Sequence, residues 1–188
     1  MQYNNHYSSD GFHFVQYQDL SPDDSLKVLS YRNDINVRKW MFSSKIISKE
    51  NHFIFIEKLK TNNIKKYYAV FKKNRIVGSV YYDILADKEY SFGAFLNPSF
   101  LSTGIGLYFE YIYLKFFFKH LKAKIIKAEV LKDNISQISI HRLCNFNEYL
   151  SQNSKYYIFK FTDNDYNELP KNINDFVSEL TINYKLKK

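Results

Sequence analysis

Two of the five glycines in this 188-residue chain, Gly104 and Gly106, lie close together between a strand pattern and a long apolar helix pattern. The segment that holds them runs from Ser102 to Gly106 and follows the strand breaker Asn97-Pro98. A strand, a short glycine-containing turn and a helix form an anion-binding device, because the turn presents backbone N–H groups and the helix N-terminus adds partial positive charge. Glycine also lacks the Cβ atom that would keep a phosphate oxygen away from the backbone. The segment therefore predicts a strand–turn–helix unit whose first helical turn faces an anionic ligand.

The residues around the two glycines exclude other phosphate loops. A P-loop requires Gly-Lys-Ser/Thr, and no such sequence follows Gly106. A Rossmann loop follows the first strand of an opening βαβ unit, whereas the strand before Ser102 is the fourth in the predicted order. Two glycines at this spacing also fit an ordinary loop, so the interpretation depends on the order of the surrounding elements.

Hydrophobic periodicity and capping residues predict the order β-α-α-β-β-β-α-β-α-β-β. This order indicates an α/β (α+β) fold with a mixed central sheet of about seven strands flanked by about four helices. The predicted strands are Phe12–Gln18, Lys66–Lys72, Ile76–Ile84, Glu89–Leu96, Lys124–Lys132, Phe146–Ser151 and Lys155–Phe161. The predicted helices begin at Ser21-Pro22, at Ser48, in the segment from Ser102 to Gly106 and at Asp133 or Asn134, and they end near Tyr31, Asn62, Leu121 and Cys144. We expect one domain over residues 1–162 and a C-terminal extension over 163–188, with a short helix from Ile173 to Leu180 and a frayed tail.

Charge and cysteine content narrow the class of partner and the compartment. The formal net charge is +8, but the Lys and Arg residues are scattered, and neither a basic helix nor a zinc motif organises them. We therefore expect a site for polyanionic small molecules, no nucleic-acid partner and no metal. The single cysteine, Cys144, excludes an intramolecular disulfide and fits a reducing cytoplasm. The most apolar stretch, Ile112 to Phe118, contains Lys115 and is too short to span a membrane, so no membrane association is expected.

Two spaced signatures resemble the GNAT superfamily of N-acetyltransferases. Leu101 to Gly106 matches the loop Gln/Arg-x-x-Gly-x-Gly/Ala, which binds the pyrophosphate of CoA in that family, except that Leu101 replaces the usual Gln or Arg. Asn134 to Phe146 matches the pattern Asn-x-x-Ala-x-x-x-Tyr-x-x-x-Gly-Phe in its Asn, its spacing and its Phe. His141 stands where that family usually has the Tyr that protonates the departing thiolate, and a His can also supply this proton near neutral pH. The resemblance implies a GNAT fold and acetyl-CoA as co-substrate.

A string of residues in the N-terminal third resembles the acetyltransferases of the pseudaminic acid pathway. It comprises Arg32-Asn33-Asp34, Trp40-Met41-Phe42 and His52 with Phe55, and the resemblance extends from about Phe14 to Phe161. Enzymes of that family acetylate the 4-amino group of a UDP-linked 4-amino-4,6-dideoxy sugar. The resemblance therefore implies a nucleotide-sugar substrate, and it is compatible with a homodimer paired at sheet edges.

Position by position, the resemblance also implies a set of site residues. The implied catalytic residues are Glu129 as the base, His141 as the acid, and Ser79. The implied cofactor-binding residues are Ala94, Phe95, Leu96, Leu101, Ser102, Thr103, Gly104, Ile105, Gly106, Asn134 and Arg142, with the backbone of Ala94 and Leu96 facing the pantetheine arm. The implied substrate-binding residues are Arg32 and His52 at the diphosphate, Trp40 and Phe42 on either side of the uracil, and Met41, Tyr81 and Tyr82.

Several alternatives remain open from the sequence alone. Trp40 and Phe42 also fit core packing, Arg32 and His52 fit a solvated surface, and His141 fits a polar helix position. The same fold and CoA loop occur in N-terminal acetyltransferases of ribosomal proteins. The missing Tyr is also compatible with an inactive module that binds CoA or a nucleotide. A basic nucleic-acid adaptor, finally, predicts salt-sensitive binding to DNA or RNA.

Overall fold

In the computed structural model, which describes residues 7–150, 155–169 and 173, a single mixed sheet carries the fold. Its strands are β1 (Tyr7–Ser9), β2 (Phe12–Gln16), β3 (Lys65–Lys72), β4 (Arg75–Ala86), β5 (Glu89–Leu96), β6 (Ile125–Leu131), β7 (Asn147–Leu150) and β8 (Tyr156–Thr162). Their order across the sheet is β1-β2-β3-β4-β5-β6-β8-β7. The strand absent from the prediction is β1, which is too short for an alternating pattern and pairs with β2 across a turn with positive φ at Asp10 and Gly11.

Helices cover both faces of the sheet, and side-chain caps fix where several of them begin. They are α1 (Pro22–Asn33), α2 (Ile35–Arg38), α3 (Lys49–Lys60), α4 (Ile105–Lys115), α5 (Ile135–Leu143) and α6 (Asp163–Asn167). Ser21, Ser48 and Asn134 accept hydrogen bonds from the first-turn amides of α1, α3 and α5, as the sequence predicts. The short α2 and α6 were not predicted, and α4 continues into a π-helical turn over Phe116–His120.

The parallel pair β5 and β6 is joined only at one end. Its paired residues are Glu89 to Ser91 on β5 and Ile125 to Lys127 on β6, and the pairing stops there. Beyond it, β5 stays paired with β4 on its other side, and β6 stays paired with β8. The two strands therefore diverge and leave a V-shaped cleft in the middle of the sheet.

Two hydrophobic clusters hold the helices on the sheet. The larger one packs α4 and its π-helical turn on one face, where Phe14 and Phe116 stack with ring centroids 4.5 Å apart. The smaller one packs α1 and α3 on the opposite face through Val28, Ile56 and Leu59. Burying one apolar side chain of this size contributes roughly 1.5–3 kcal/mol to the stability of the folded chain.

Part of the predicted C-terminal extension packs on the larger cluster. Leu169 and Ile173 are buried in it, and Tyr166 stacks on Phe118 with ring centroids 5.1 Å apart. Except for Ile173, the helix predicted from Ile173 to Leu180 lies outside the described residues, as does the tail predicted after it. In the described ranges we find no helix that is long and apolar enough to cross a membrane.

Candidate functional site

Two adjoining cavities fill the cleft between β5 and β6. The larger has a volume of about 710 Å³ and lies between β5, the turn before α4, and α5. The smaller has a volume of about 90 Å³ and reaches deeper between the diverging strands. The residues that line both are Trp40, Met41, Ala94, Tyr113, Asn134 and Gln137. The two cavities can therefore hold two parts of one reacting assembly.

The turn before α4 leaves the first backbone amides of that helix available. Gly104 caps the helix in the left-handed conformation, with φ of 80°, and provides no side-chain cap. Gly104, Gly106 and Leu107 all line the larger cavity. An uncapped helix N-terminus presents N–H groups and positive potential, so this end of the cavity suits a phosphate or diphosphate.

The free edge of β5 supplies backbone groups to the same cavity. The amide of Asn97 donates to Val77 O on β4 at 2.8 Å. Since amides along a strand alternate in direction, those of Leu96 and Ala94 face away from β4 and into the cleft. An extended amide-containing chain can therefore pair with β5 where β6 has diverged, which is the geometry predicted for pantetheine.

The structure brings most of the predicted cofactor residues together. The larger cavity is lined by Ala94, Phe95, Leu96, Leu101, Ser102, Gly104, Gly106 and Asn134. Three predicted residues do not line it. Thr103 donates its hydroxyl to Phe100 O at 2.7 Å, Ile105 is buried in the core, and Arg142 forms a two-point ion pair with Glu148 at 2.8 and 3.0 Å.

The smaller cavity places an exposed carboxylate close to a buried imidazole. Glu129 points from β6 into the cavity and is exposed, and within the described ranges its carboxylate has no ion-pair partner. His141, on α5, lines the same cavity although only 1% of the residue is exposed. A solvated carboxylate can accept a proton from an amine, and an imidazole can release one to a leaving group. Glu129 and His141 together therefore suit acyl transfer to an amine.

The His141 ring is fixed by a polar network that the sequence did not predict. Its Nδ1 lies 2.9 Å from Oε1 of Glu110, a buried side chain on α4. Gln137 donates from Nε2 to the other carboxylate oxygen of Glu110 at 2.9 Å. The rings of Phe92, Phe146 and Phe159 surround the imidazole at centroid distances of 4.3 to 6.3 Å.

An aromatic lip, Trp40 to Phe42, closes the outer side of both cavities. Trp40 and Met41 line both of them, and Phe42 lines the smaller, where its ring lies 5.2 Å from that of Tyr156. Phe42 is 68% exposed, so it is available for contact with a ligand ring rather than committed to core packing. The Tyr81 hydroxyl lies 3.8 Å from the Met41 sulfur and supports the lip from β4.

Arg32 lines neither cavity and is hydrogen-bonded instead to the segment that follows the lip. Its Nη2 donates to Ser43 O at 2.8 Å, and Arg38 donates to Ser44 O at 2.6 Å. Asn33 forms two hydrogen bonds with the backbone of Ile47, at 2.8 and 2.9 Å. Three side chains thus tie the segment after the lip to α1 and α2. Nη1 of Arg32 is buried without a hydrogen-bond partner in the described structure.

Two other predicted site residues, Ser79 and His52, lie away from the cavities. Ser79 is fully buried, donates to Tyr68 O at 2.9 Å and is hydrogen-bonded to the Tyr17 hydroxyl at 2.6 Å. His52 is 6% exposed and lies between 3.0 and 3.1 Å from the hydroxyl and carbonyl oxygens of Ser25. Burial lowers the pKa of His52, which favours a neutral packing role.

Tyr82 is on the wrong face of β4 for the predicted contact. Adjacent residues of a strand point to opposite faces, so Tyr81 and Tyr82 cannot both reach the cleft. Tyr81 lines the smaller cavity, whereas Tyr82 is buried in the larger cluster against Tyr68 and Phe117.

The sequence interpretation missed Glu110, Tyr113, Gln137 and Gly93. An acid inside the apolar helix from Ile105 to Lys115 was a usable signal for Glu110. A Cβ at Gly93 would lie 2.4 Å from the end of the Tyr81 side chain, so a larger residue there would displace Tyr81 from the smaller cavity. In the part of the chain that the structure describes, no group of three His, Cys, Asp or Glu side chains is arranged to hold a metal ion.

The sequence comparison finds acetyltransferase PseH of Campylobacter jejuni. It is 28% identical over 142 residues, which span 76% of this chain and 88% of that protein. No family model matches the chain.

The structural comparison finds the same protein and a second acetyltransferase of similar fold. The crystal structure of Campylobacter jejuni PseH with acetyl coenzyme A matches with a TM-score of 0.65 at 22% identity, covering 80% of this chain and 98% of that one. Spermidine N-acetyltransferase from Vibrio cholerae, solved with CoA and spermine, matches with a TM-score of 0.70 at 14% identity, covering 84% and 99%. These likenesses confirm the predicted GNAT fold. The predictions of an N-acetyltransferase and of acetyl-CoA as co-substrate agree with them.

Proposed function

Taking this chain as a PseH-like N-acetyltransferase of the GNAT fold, we propose that it transfers an acetyl group from acetyl-CoA to the 4-amino group of a UDP-linked 4-amino-4,6-dideoxy sugar. The reaction would serve pseudaminic acid or a related surface glycan and would take place in the cytoplasm. A homodimer would pair through the exposed sheet edges, of which β7 is one.

One observation carries this proposal. The smaller cavity joins an aromatic lip, an exposed carboxylate and a buried imidazole beside the cavity that suits CoA. Flat aromatic side chains such as Trp40 and Phe42 suit the face of a nucleobase. Glu129 and His141 lie where a sugar amine would meet the thioester.

The larger cavity has the features that acetyl-CoA requires. The amides of the first turn of α4 would meet the pyrophosphate, and the free edge of β5 would pair with the pantetheine arm through Ala94 and Leu96. Acetyl-CoA supplies an activated acyl group as a thioester. Holding both reactants in one cleft supplies much of the rate enhancement.

The chain's own residues then divide the proton transfers between them. Glu129 accepts the proton of the sugar ammonium, directly or through water, because its carboxylate is exposed in the cavity. His141 donates a proton to the departing thiolate from the other wall. The cleft-facing amides of β5 stabilise the negative charge that develops on the carbonyl oxygen.

The test is an acetyl-CoA consumption assay that detects the released thiol. Three acceptors are compared at equal concentration: UDP-4-amino-4,6-dideoxy-N-acetyl-altrosamine, a peptide with a ribosomal-protein N-terminus, and spermidine. We expect rapid release with the nucleotide sugar only. Release only with the peptide or with spermidine would refute the acceptor and retain the enzyme class.

Two variants connect that result to the site. Trp40→Ala removes a lip side chain that lines both cavities, whereas Ile54→Ala removes an exposed side chain on α3 that lines neither. We expect only Trp40→Ala to raise the KM for the sugar. Equal effects of the two substitutions would contradict the assignment of the lip. Binding to DNA at low salt, measured in parallel, would favour the nucleic-acid adaptor.

A further inference from the structure

Glu110 is a buried acid inside an otherwise apolar helix. Its side chain and that of His141 are each 2% exposed, and Oε1 lies 2.9 Å from the imidazole Nδ1. A buried carboxylate is costly unless it is paired and hydrogen-bonded. Both of its oxygens are used here, one by His141 and the other by Gln137 at 2.9 Å.

The two residues that are hydrogen-bonded to the Glu110 carboxylate occupy two positions of the signature that begins at Asn134. Counted from that Asn, Gln137 occupies the Ala position and His141 the Tyr position. These two departures from the pattern therefore contact one carboxylate on a different helix. This arrangement indicates a single structural unit, of which Glu110 is the third member.

Geometry fixes which nitrogen of His141 faces the reaction. Nδ1 donates to the Glu110 carboxylate, so Nε2 is the nitrogen left for the cavity that His141 lines, and the Gln137 amide, which can only donate, lies 3.4 Å from it. Because aromatic rings surround the pair, a net negative charge there would be poorly solvated. An imidazolium beside the carboxylate leaves the pair neutral overall, so Glu110 offsets the charge that His141 takes on when Nε2 gains a proton.

The other titratable groups around the pair do not compete for that proton. Tyr113 on α4 and Cys144 after α5 are buried, and burial, with the nearby Glu110 carboxylate, raises the pKa of both. Both groups therefore stay neutral at ordinary pH. Glu129 faces the pair across the smaller cavity from β6 and is exposed to water.

We propose that Glu110 is the positioning residue of a carboxylate–imidazole pair, which aligns His141 so that Nε2 takes up a proton in the cavity and delivers it to the leaving sulfur. This proposal rests on the proposed acetyl transfer. Glu129 takes the ammonium proton and releases it to water, and the neutral amine nitrogen then bonds to the carbonyl carbon and passes its excess proton to Nε2. The C–S bond breaks with its electron pair on sulfur, and sulfur takes the proton from Nε2. The imidazole ends as it began, so charge and protons balance.

The closing experiment compares Glu110→Gln with Glu148→Gln. Both replace a carboxylate by its isosteric amide, but Glu148 pairs with Arg142 outside the cavities. In Glu110→Gln we expect kcat to fall about 100-fold with little change in either KM, because the imidazolium that forms in the reaction loses the carboxylate that offsets its charge. Glu148→Gln is expected to leave kcat and both KM values unchanged. Glu110→Asp keeps the charge and covers the case in which Glu110→Gln does not fold, with a smaller fall in kcat expected.

A second readout needs no substrate. The Nδ1–H resonance of His141 is observed by NMR in the resting protein, with His141→Gln used to assign it among the five histidines. We expect it to move upfield in Glu110→Gln, because the hydrogen bond to the carboxylate is lost. An unmoved resonance with an unchanged kcat, or a larger loss of kcat in Tyr113→Phe than in Glu110→Gln, would overturn the proposal. A moved resonance without acetyl transfer to any amine would refute the proposed function and leave the pair intact.

Discussion

Gly104→Ala separates the phosphate-binding role of the turn before α4 from its contribution to stability. Gly104 has φ of 80°, and a Cβ built on it meets no protein atom within 4 Å. The only cost in the free protein is therefore the left-handed backbone, about 1–2 kcal/mol for an L side chain. For a chain of this length that cost lowers Tm by about 2–8 °C.

The effect on acetyl-CoA is expected to be larger than that strain. Relaxing the turn re-aims the first amides of α4, which line the larger cavity. One hydrogen bond to a charged group contributes about 1.5–3 kcal/mol, so losing one weakens binding by roughly 10- to 150-fold. Isothermal titration calorimetry with acetyl-CoA measures this directly.

Gly11→Ala is the matched control. Gly11 has φ of 76°, a Cβ there also meets nothing within 4 Å, and its turn between β1 and β2 lines neither cavity. The two variants should lose similar stability, and only Gly104→Ala should lose affinity. If Gly104→Ala melts lower but binds acetyl-CoA as tightly as the wild type, the phosphate-loop argument is wrong.

Three further substitutions test individual assignments. Glu129→Gln should lower kcat about 100-fold or more while changing the free energy of unfolding by less than about 0.5 kcal/mol, because the carboxylate is exposed; steady-state kinetics and chemical denaturation check this. Ser79→Ala should show the reverse, a loss of about 1–3 kcal/mol in unfolding free energy with little change in kcat, because it leaves Tyr17 without its buried partner. Trp40→Ala should raise the KM for the nucleotide sugar by roughly 5- to 150-fold, the range of base–aromatic stacking, and unchanged KM values would remove Trp40 from the acceptor site.

Local signals in the sequence were enough for most of the fold. The caps Ser21, Ser48 and Asn134 act through side-chain bonds to nearby amides, so sequence alone places the helix starts. The strand β1 escaped prediction because three residues cannot show a period, and α2 because a single turn has no apolar face.

The candidate site was predicted best where its groups belong to the backbone. The turn from Leu101 to Gly106 and the edge of β5 follow from chain order, and both line the larger cavity. The roles that the family resemblance implies for individual side chains agree less well with the structure. Ser79 and His52 fit the sequence pattern, yet each is buried against a partner far away in the chain, which no local pattern reveals.

Two carboxylates in this cleft are distinguished by their surroundings alone. Glu129 is solvated and unpaired among the described residues, so it can release a captured proton to water and act again. Glu110 is buried, accepts a hydrogen bond from Gln137 and lies against an imidazole, so it can offset a charge on His141 but cannot exchange protons with water. We therefore expect Glu129 to act as the base, and His141 supported by Glu110 as the acid, of the proposed transfer. On this proposal His141 at the tyrosine position of the signature does not imply an inactive module, because the buried carboxylate beside it provides what a lone histidine would lack.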